Sequence, residues 1–321
     1  MKTQDNIDKK LTSISLIHYI VEHEQNINCL LLLKDNRLAS CGCDCKINIY
    51  EEKTFKLNLS ITEHYDDVNY ITQMKNGNLL SCSEDQRIKI IELIGKTNYV
   101  IKQTLFLSYH VLFIIESEEG YLISCTKEIS FWEKKDGNNY DVNYHLTKYC
   151  SNIYNLIEFK KNYFAFCSFN DKIFDYWNFN EKKSEFSLKN IDNNPWYASM
   201  IKLDENQILI GGKNKLILID MINYQIKLII ETDNEIFCLH KLNNDYILCL
   251  LHDLLLCLLL VLLRDLLRDR FQALRHAPRF WRRQRHHSER PRHPDDVRKP
   301  TGLHDSSAYI ATSRELQPDL A

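Results

Sequence analysis

Apolar residues along this chain come in short runs broken by polar turns, and the runs recur. Six open alike: INCLLLL from Ile27, VNYITQM from Val68, VLFIIES from Val111, IYNLIEF from Ile153, YASMIKL from Tyr197 and IFCLHKL from Ile236. Their starts lie 41, 43, 42, 44 and 39 residues apart. A turn follows each (KDNR, KNGN, EEGY, KKNY, DENQ, NNDY), then a second run: LASCG, LLSCS, LISCT, FAFCS, ILIGG, ILCLL. Five units continue into a third run, KINIY, RIKII, EISFW, KIFDYW and KLILI, and a fourth patch such as TFKLNLSI or YVIKQTL often closes the unit.

Runs of about five to seven residues rich in Ile, Tyr and Phe, separated by Asn, Asp and Gly, predict β-strands. Four strands per unit at a period of about 40–45 residues predict an all-β fold, a β-propeller of four-stranded blades. Helical repeats of similar period would need long stretches with 3.6-residue periodicity, and none occurs before residue 250. About five blades are complete and a sixth is partial, with no third strand expected in it. Residues 12–250 form this incomplete propeller, SISLIHYI adds an N-terminal strand candidate, and residues 1–11 are expected to be disordered.

The unit His64-Tyr-Asp-Asp-Val68 … LLSCSEDQRIKIIE resembles the WD40-repeat family, and the likeness covers about residues 12–250. Asp85 stands at the family's tight-turn Asp, with Asp44 and Asp171 matching in units one and four. Trp132 and Trp177 hold the family's Trp position, where Tyr50, Ile91 and Ile219 stand elsewhere. His23 and His64 match the family's His. No unit carries Trp and Asp together as its closing dipeptide, and no Gly precedes either His. The resemblance implies structural roles for His23, His64, Asp44, Asp85, Asp171, Trp132 and Trp177, with the His bonded to Ser and Asp inside the blade. It also implies a non-catalytic scaffold that binds a protein or peptide where the inner strands begin. Carried over residue by residue, that rim holds Asn26, Asn28, Asp67, Asn69, His110, Leu112, Asn152, Tyr154, Trp196, Glu235 and Phe237, and Cys43, Glu84 and Asn170 precede the turn Asp. Among these, Tyr154, Trp196, Phe237, Asn152, His110, Asn69, Asp67, Asn28 and Glu84 are the expected partner-binding residues. The arc of Tyr154, Trp196 and Phe237 is expected to be the main contact surface, since rigid aromatics bury large areas at low entropic cost.

Cys41, Cys82, Cys125 and Cys167 share one position of four successive units, and Gly211 holds it in the fifth. A position filled by Cys or Gly has little room, so these thiols are expected to act as small apolar fillers between blades. Cys41, Cys43 and Cys45 form a C-x-C-x-C run, but zinc sites favour C-x2-4-C with a second ligand pair elsewhere, so no metal is expected. No phosphate loop, dinucleotide fingerprint, nucleophile elbow or H-E-x-x-H motif occurs, so neither enzyme activity nor a cofactor is expected. No uninterrupted apolar stretch at the start suggests a signal peptide; a cytoplasmic chain with reduced thiols is expected.

Composition alters this picture at one place. Residues 1–250 hold 26 Lys and 2 Arg, whereas residues 251–321 hold 1 Lys and 12 Arg, no Asn, and five of the six prolines. The net charge of −2 hides this split and gives no general pull toward nucleic acid or membrane. Three readings of the last segment compete. It is foreign to the propeller, through a frameshift or mis-joined coding segment. It is a membrane segment, for which the apolar stretch Leu254–Leu263 is too short. Or it is a functional helix and basic arm, with seven Arg between Arg275 and His293, which gives the alternative function of nucleic-acid binding. A Leu-rich helix is expected over 251–274 and disorder over the Pro-containing stretch 275–321.

Overall fold

The computed structural model describes residues 16–20, 22–135, 139–148, 152–168, 173–189, 199–212, 215–231, 236–241, 246–251, 258–262 and 308–311. Sheet 1 is built from β2 (Ile27–Leu32), β3 (Leu38–Gly42), β4 (Ile47–Tyr50) and β5 (Leu57–Ile61). Sheet 2 comprises β6 (Val68–Gln73), β7 (Leu79–Ser83), β8 (Arg87–Ile94) and β9 (Asn98–Phe106). Sheet 3 comprises β10 (Phe113–Glu116), β11 (Leu122–Cys125), β12 (Ile129–Lys134) and β13 (Tyr140–Leu146). Sheet 4 follows with β14 (Ile153–Lys160), β15 (Tyr163–Ser168), β16 (Ile173–Asn178) and β17 (Lys183–Lys189). Sheet 5 has β18 (Ser199–Asp204), β19 (Gln207–Gly212), β20 (Lys215–Asp220) and β21 (Gln225–Glu231). These five four-stranded sheets are antiparallel meanders, each strand paired with the next in sequence. That is the blade arrangement the repeat predicts.

The second strands of sheets 1 to 5 are buried on both faces. β7 and β19 are buried at every residue, and β3 at all but Leu38, so their runs read as apolar or small without alternation. The outer strand β9 instead alternates exposed and part-buried residues over most of its length. Five apolar clusters form the core, each shared by two consecutive sheets, from Cys41, Ile49, Val68 and Ile71 at the first joint to Leu209, Leu218, Ile236 and Leu239 at the last. Each large side chain buried there contributes about 1.5–3 kcal/mol.

Left-handed turn residues keep the repeat's spacing. Asn36, Gly77, Gly120 and Asn162 all have positive φ in the turn between first and second strands, and Asn and Gly are the residues that tolerate it.

The sixth sheet corrects the expectation for the C-terminal part. β22 (Ile236–Lys241) pairs with β23 (Tyr246–Leu251), and β24 (Leu258–Leu262) pairs with β23 as the third strand expected to be missing. Residues 258–262 are therefore strand, where a helix over 251–274 was expected. The exposed ladder of β23 offers backbone partners to an apolar run, and that pairing outweighs the helix preference of Leu. Likewise Ala308–Ala311 forms β25, paired with β1 (Leu16–Ile20), inside the stretch expected to be disordered. The expected disorder at 1–11, the other residues of the Arg-rich tail, and the first-strand start at Tyr197 lie outside the described residues. The described residues include no helix long and apolar enough to cross a membrane.

Candidate functional site

The first strands of the sheets surround a cavity of 1520 Å³. Register builds its wall. Cys29 pairs with Cys41, Tyr70 with Cys82, Phe113 with Cys125, Asn155 with Cys167, Ser199 with Gly211 and Cys238 with Leu250. The first member of each pair lines the cavity. In sheets 1 to 5 the second is the small slot, and Cys41, Cys82, Cys125 and Cys167 are at most 3% exposed. Cys41 Sγ donates to the Val68 carbonyl of the next sheet at 3.3 Å. At Gly211 a Cβ would stand 2.6 Å from Ile236 Cγ2, on the next sheet again. The slot is a blade-to-blade contact. Burial pushes the thiol of Cys167 up to about 12 and that of Cys125 higher still, so both stay protonated and apolar in character.

The rim arises from a β-bulge that repeats. The ladder between first and second strands skips one residue at Asn28, Asn69, Tyr154 and Phe237. A bulged residue leaves the strand's alternation and is re-aimed. Asn28 and Asn69 use that freedom alike: Asn28 Nδ2 donates to the Val68 carbonyl at 3.1 Å and Asn69 Nδ2 to the Val111 carbonyl at 3.0 Å. Each clamps its sheet to the next while still lining the cavity. The bulged Tyr154 remains 39% exposed, and Asn152 Nδ2 donates to its hydroxyl at 3.4 Å. His110 is exposed and donates from Nδ1 to the Glu84 carbonyl at 2.5 Å, tying sheet 3 to the turn of sheet 2. Asp67 is half-buried, and its carbonyl accepts from the Glu84 amide.

Asn28, Asn69, Glu84, His110, Asn152 and Tyr154 thus meet around one cavity. Trp196, Asp171, Asn170 and Glu235 lie outside the described residues, and Phe237 is placed in β22 with its side chain outside them, so the proposed aromatic arc is described only at Tyr154. Sequence reasoning missed Tyr109, 42% exposed beside His110, with Lys127 Nζ 5.2 Å from its ring centre. It precedes the first run of its unit by two residues, and no repeated pattern marks it.

The acidic side of the rim holds the other two cysteines of the C-x-C-x-C run. Burial, then Asp67 beside it, pushes the Cys43 thiol up to about 11, and burial with Asp66 and Asp67 raises Cys45. Among the described residues no three His, Cys, Asp or Glu side chains gather as a metal would require. Cys43 bonds instead with the Asn28 amide.

Behind the rim the predicted structural residues form graded networks. An ionised carboxylate only accepts, so His23 donates from Nδ1 to Asp44 at 2.9 Å and accepts the Ser40 hydroxyl at Nε2 at 2.6 Å. Ser40 is also within hydrogen-bonding distance of the Tyr50 hydroxyl, 3.2 Å. In sheet 2, His64 bonds Asp85 at 2.9 Å and Ser81 at 2.8 Å, and Ile91 ends the network. In sheet 3, Trp132 Nε1 donates to Ser124 at 2.9 Å with no His behind it. In sheet 4, Phe166 replaces that Ser, and the buried Nε1 of Trp177 has no partner. Asp44 and Asp85 also accept the amides of Lys46 and Arg87 two residues on, which makes them turn formers.

The sequence model of the family described as "WD domain, G-beta repeat" matches residues 14–51 and 55–92. No curated protein matches the chain. Among solved structures, the crystal structure of the WD40 beta propeller domain of Doa1 is similar, with a TM-score of 0.63 at 18% identity over 74% of this chain and 80% of that one. At that identity the likeness speaks for the fold: a WD40-type propeller.

Proposed function

We propose that this WD40-type propeller is a non-catalytic interaction scaffold that holds a protein or peptide segment where its inner strands begin. WD40 propellers typically serve as protein-interaction scaffolds. What supports the reading most here is the character of the cavity mouth. Tyr109, in the bend before β10, and Tyr154, on β14, are 42% and 39% exposed, and His110, Glu84, Lys127 and Asn152 line the same cavity. Large rings beside hydrogen-bonding groups suit a polypeptide better than a small apolar ligand, and such rings carry about 2 kcal/mol or more each when a partner covers them.

The test is affinity capture with the full chain, with Tyr109→Ala/Tyr154→Ala, and with Ile222→Ser, a change at an exposed outer residue of sheet 5. Proteins held by the unaltered chain and by Ile222→Ser should be lost by the double variant, with circular dichroism showing that it keeps the fold. An identical captured set from the double variant would rule out this mouth as the contact surface.

A further inference from the structure

Of the six register pairs at this position, only the one in sheet 1 joins two cysteines, Cys29 and Cys41. Register partners on antiparallel strands point to the same face, with side chains about 4.5–5.5 Å apart at Cβ. Two hydrogen bonds confirm the shared face. Cys29 Sγ donates to the Ile71 carbonyl at 3.6 Å and Cys41 Sγ to the Val68 carbonyl at 3.3 Å, both on β6. The two thiols differ in access. Cys41 is 0% exposed, whereas Cys29 lines the cavity and is only half-buried. Cross-strand partners fall within the Cα separation a disulfide spans, about 4.4–6.8 Å.

We propose that Cys29 and Cys41 form a reversible disulfide when a peroxide enters the cavity, making this pair an oxidation site at the joint between the first two blades. Cys29 sulfur attacks one peroxide oxygen, the O–O bond breaks, and the departing hydroxide takes a proton to leave as water. The sulfur of Cys41 then displaces the hydroxyl from the sulfenic acid on Cys29. The S–S bond forms, and the hydroxyl leaves with the Cys41 proton as a second water. Two thiols are oxidised by two electrons, and one peroxide is reduced to two waters. A small thiol reverses the step by exchange. The roles agree with the surroundings: the Cys41 thiol, by turning its S–H from the Val68 carbonyl to the Cys29 sulfur, favours a thiolate there and, opposed by burial, holds the Cys29 thiol below its usual value, while burial holds Cys41 well above. Cys29 is the thiol that ionises and faces the oxidant, and Cys41 is the resolving one. Oxidation removes both S–H donors from the Ile71 and Val68 carbonyls, so it acts on the joint itself. This inference is independent of the rim's partner.

The full chain is treated with hydrogen peroxide, blocked with N-ethylmaleimide, digested with trypsin without reduction and read by mass spectrometry. Trypsin cuts at Lys34 and Arg37, between the two cysteines. The expected product is the peptide ending at Lys34 linked to the peptide Leu38–Lys46, with fragmentation placing the bond on Cys41. Dithiothreitol should restore both free peptides, and Cys29→Ser should abolish the link while Cys82→Ser keeps it. Full maleimide labelling of Cys29 after peroxide, or a link carried by Cys43 or Cys45, would overturn the proposal. Because the unaltered chain gives the primary readout, poor folding of a variant does not blunt it.

Discussion

At the scale of single residues, tight slots and buried carboxylates set the sensitivities. A Cβ on Gly211 would press on Ile236, a side chain that can shift, whereas a Cβ on Gly42 would overlap the Asn26 carbonyl oxygen, which is backbone. Gly211→Ala should therefore cost about 1–3 kcal/mol, as overpacking does, and Gly42→Ala more. Equilibrium urea unfolding of the two variants checks the order; equal midpoints would refute the contrast. Asp85 supplies a pH test. Burial pushes its carboxyl up, but the hydrogen bond and charge of His64 and the amides of Tyr65 and Arg87 outweigh that, so it lies below the usual value. A depressed native pKa adds stability that is fully present above the unfolded value, about 4, and is lost as pH falls through the native one. The melting temperature of the unaltered chain should thus fall more steeply below about pH 4 than that of Asp85→Asn. Parallel acid profiles would show that His64 and the turn do not favour the charged form.

Elements are joined by polar clamps as well as apolar clusters. Asn28 and Asn69, 41 residues apart, perform the same bond to the next sheet. Lys34 and Lys75 repeat the device at the opposite end, where Lys34 Nζ donates to the Met74 and Lys75 carbonyls, and Lys75 Nζ to those of Ser117 and Glu118. Asn69→Ala should cost about 1 kcal/mol by losing one such bond. Ser124→Ala should cost about 1–3 kcal/mol, because it leaves the indole of Trp132 buried without an acceptor. The same substitution in sheet 4 has no counterpart, since Phe166 already stands there and Trp177 is already unpaired. If Ser124→Ala melts with the unaltered chain, the Trp–Ser bond contributes nothing to the blade.

For the whole molecule, stability is a chain of joints between nearest neighbours, as in any repeat protein. Sheets 2 to 5 share a described core cluster on each side, and sheet 1 shares one. β22 shares one, through Ile236 and Leu239. Hydrogen exchange should accordingly be faster in β3 and β22 than in β7, β11, β15 and β19, with local opening of the sixth sheet below the global unfolding free energy. Uniform protection across all six sheets would mean that the ring unfolds as one unit. Phe131, 1% exposed and packed against Phe164 and Phe179, sits at the middle joint, and Phe131→Ala should cost about 3–5 kcal/mol.

The sequence by itself determined the period, the four strands of a unit and the small slot held by Cys41, Cys82, Cys125, Cys167 and Gly211. A repeat stacks each unit on the next, so one packing requirement is written several times along the chain and shows as spacing. It also determined the pairing of His23 with Asp44 and of His64 with Asp85, through the resemblance those positions carry. Only the tertiary structure decided that Asn28 and Asn69 are clamps while Tyr154 stays part exposed at the cavity, because a bulged side chain goes where the neighbouring sheet's carbonyls stand, and no local pattern encodes that position. It also decided that Leu258–Leu262 is a strand, since a free sheet edge, absent from any local reading of a Leu-rich run, supplies the backbone partners.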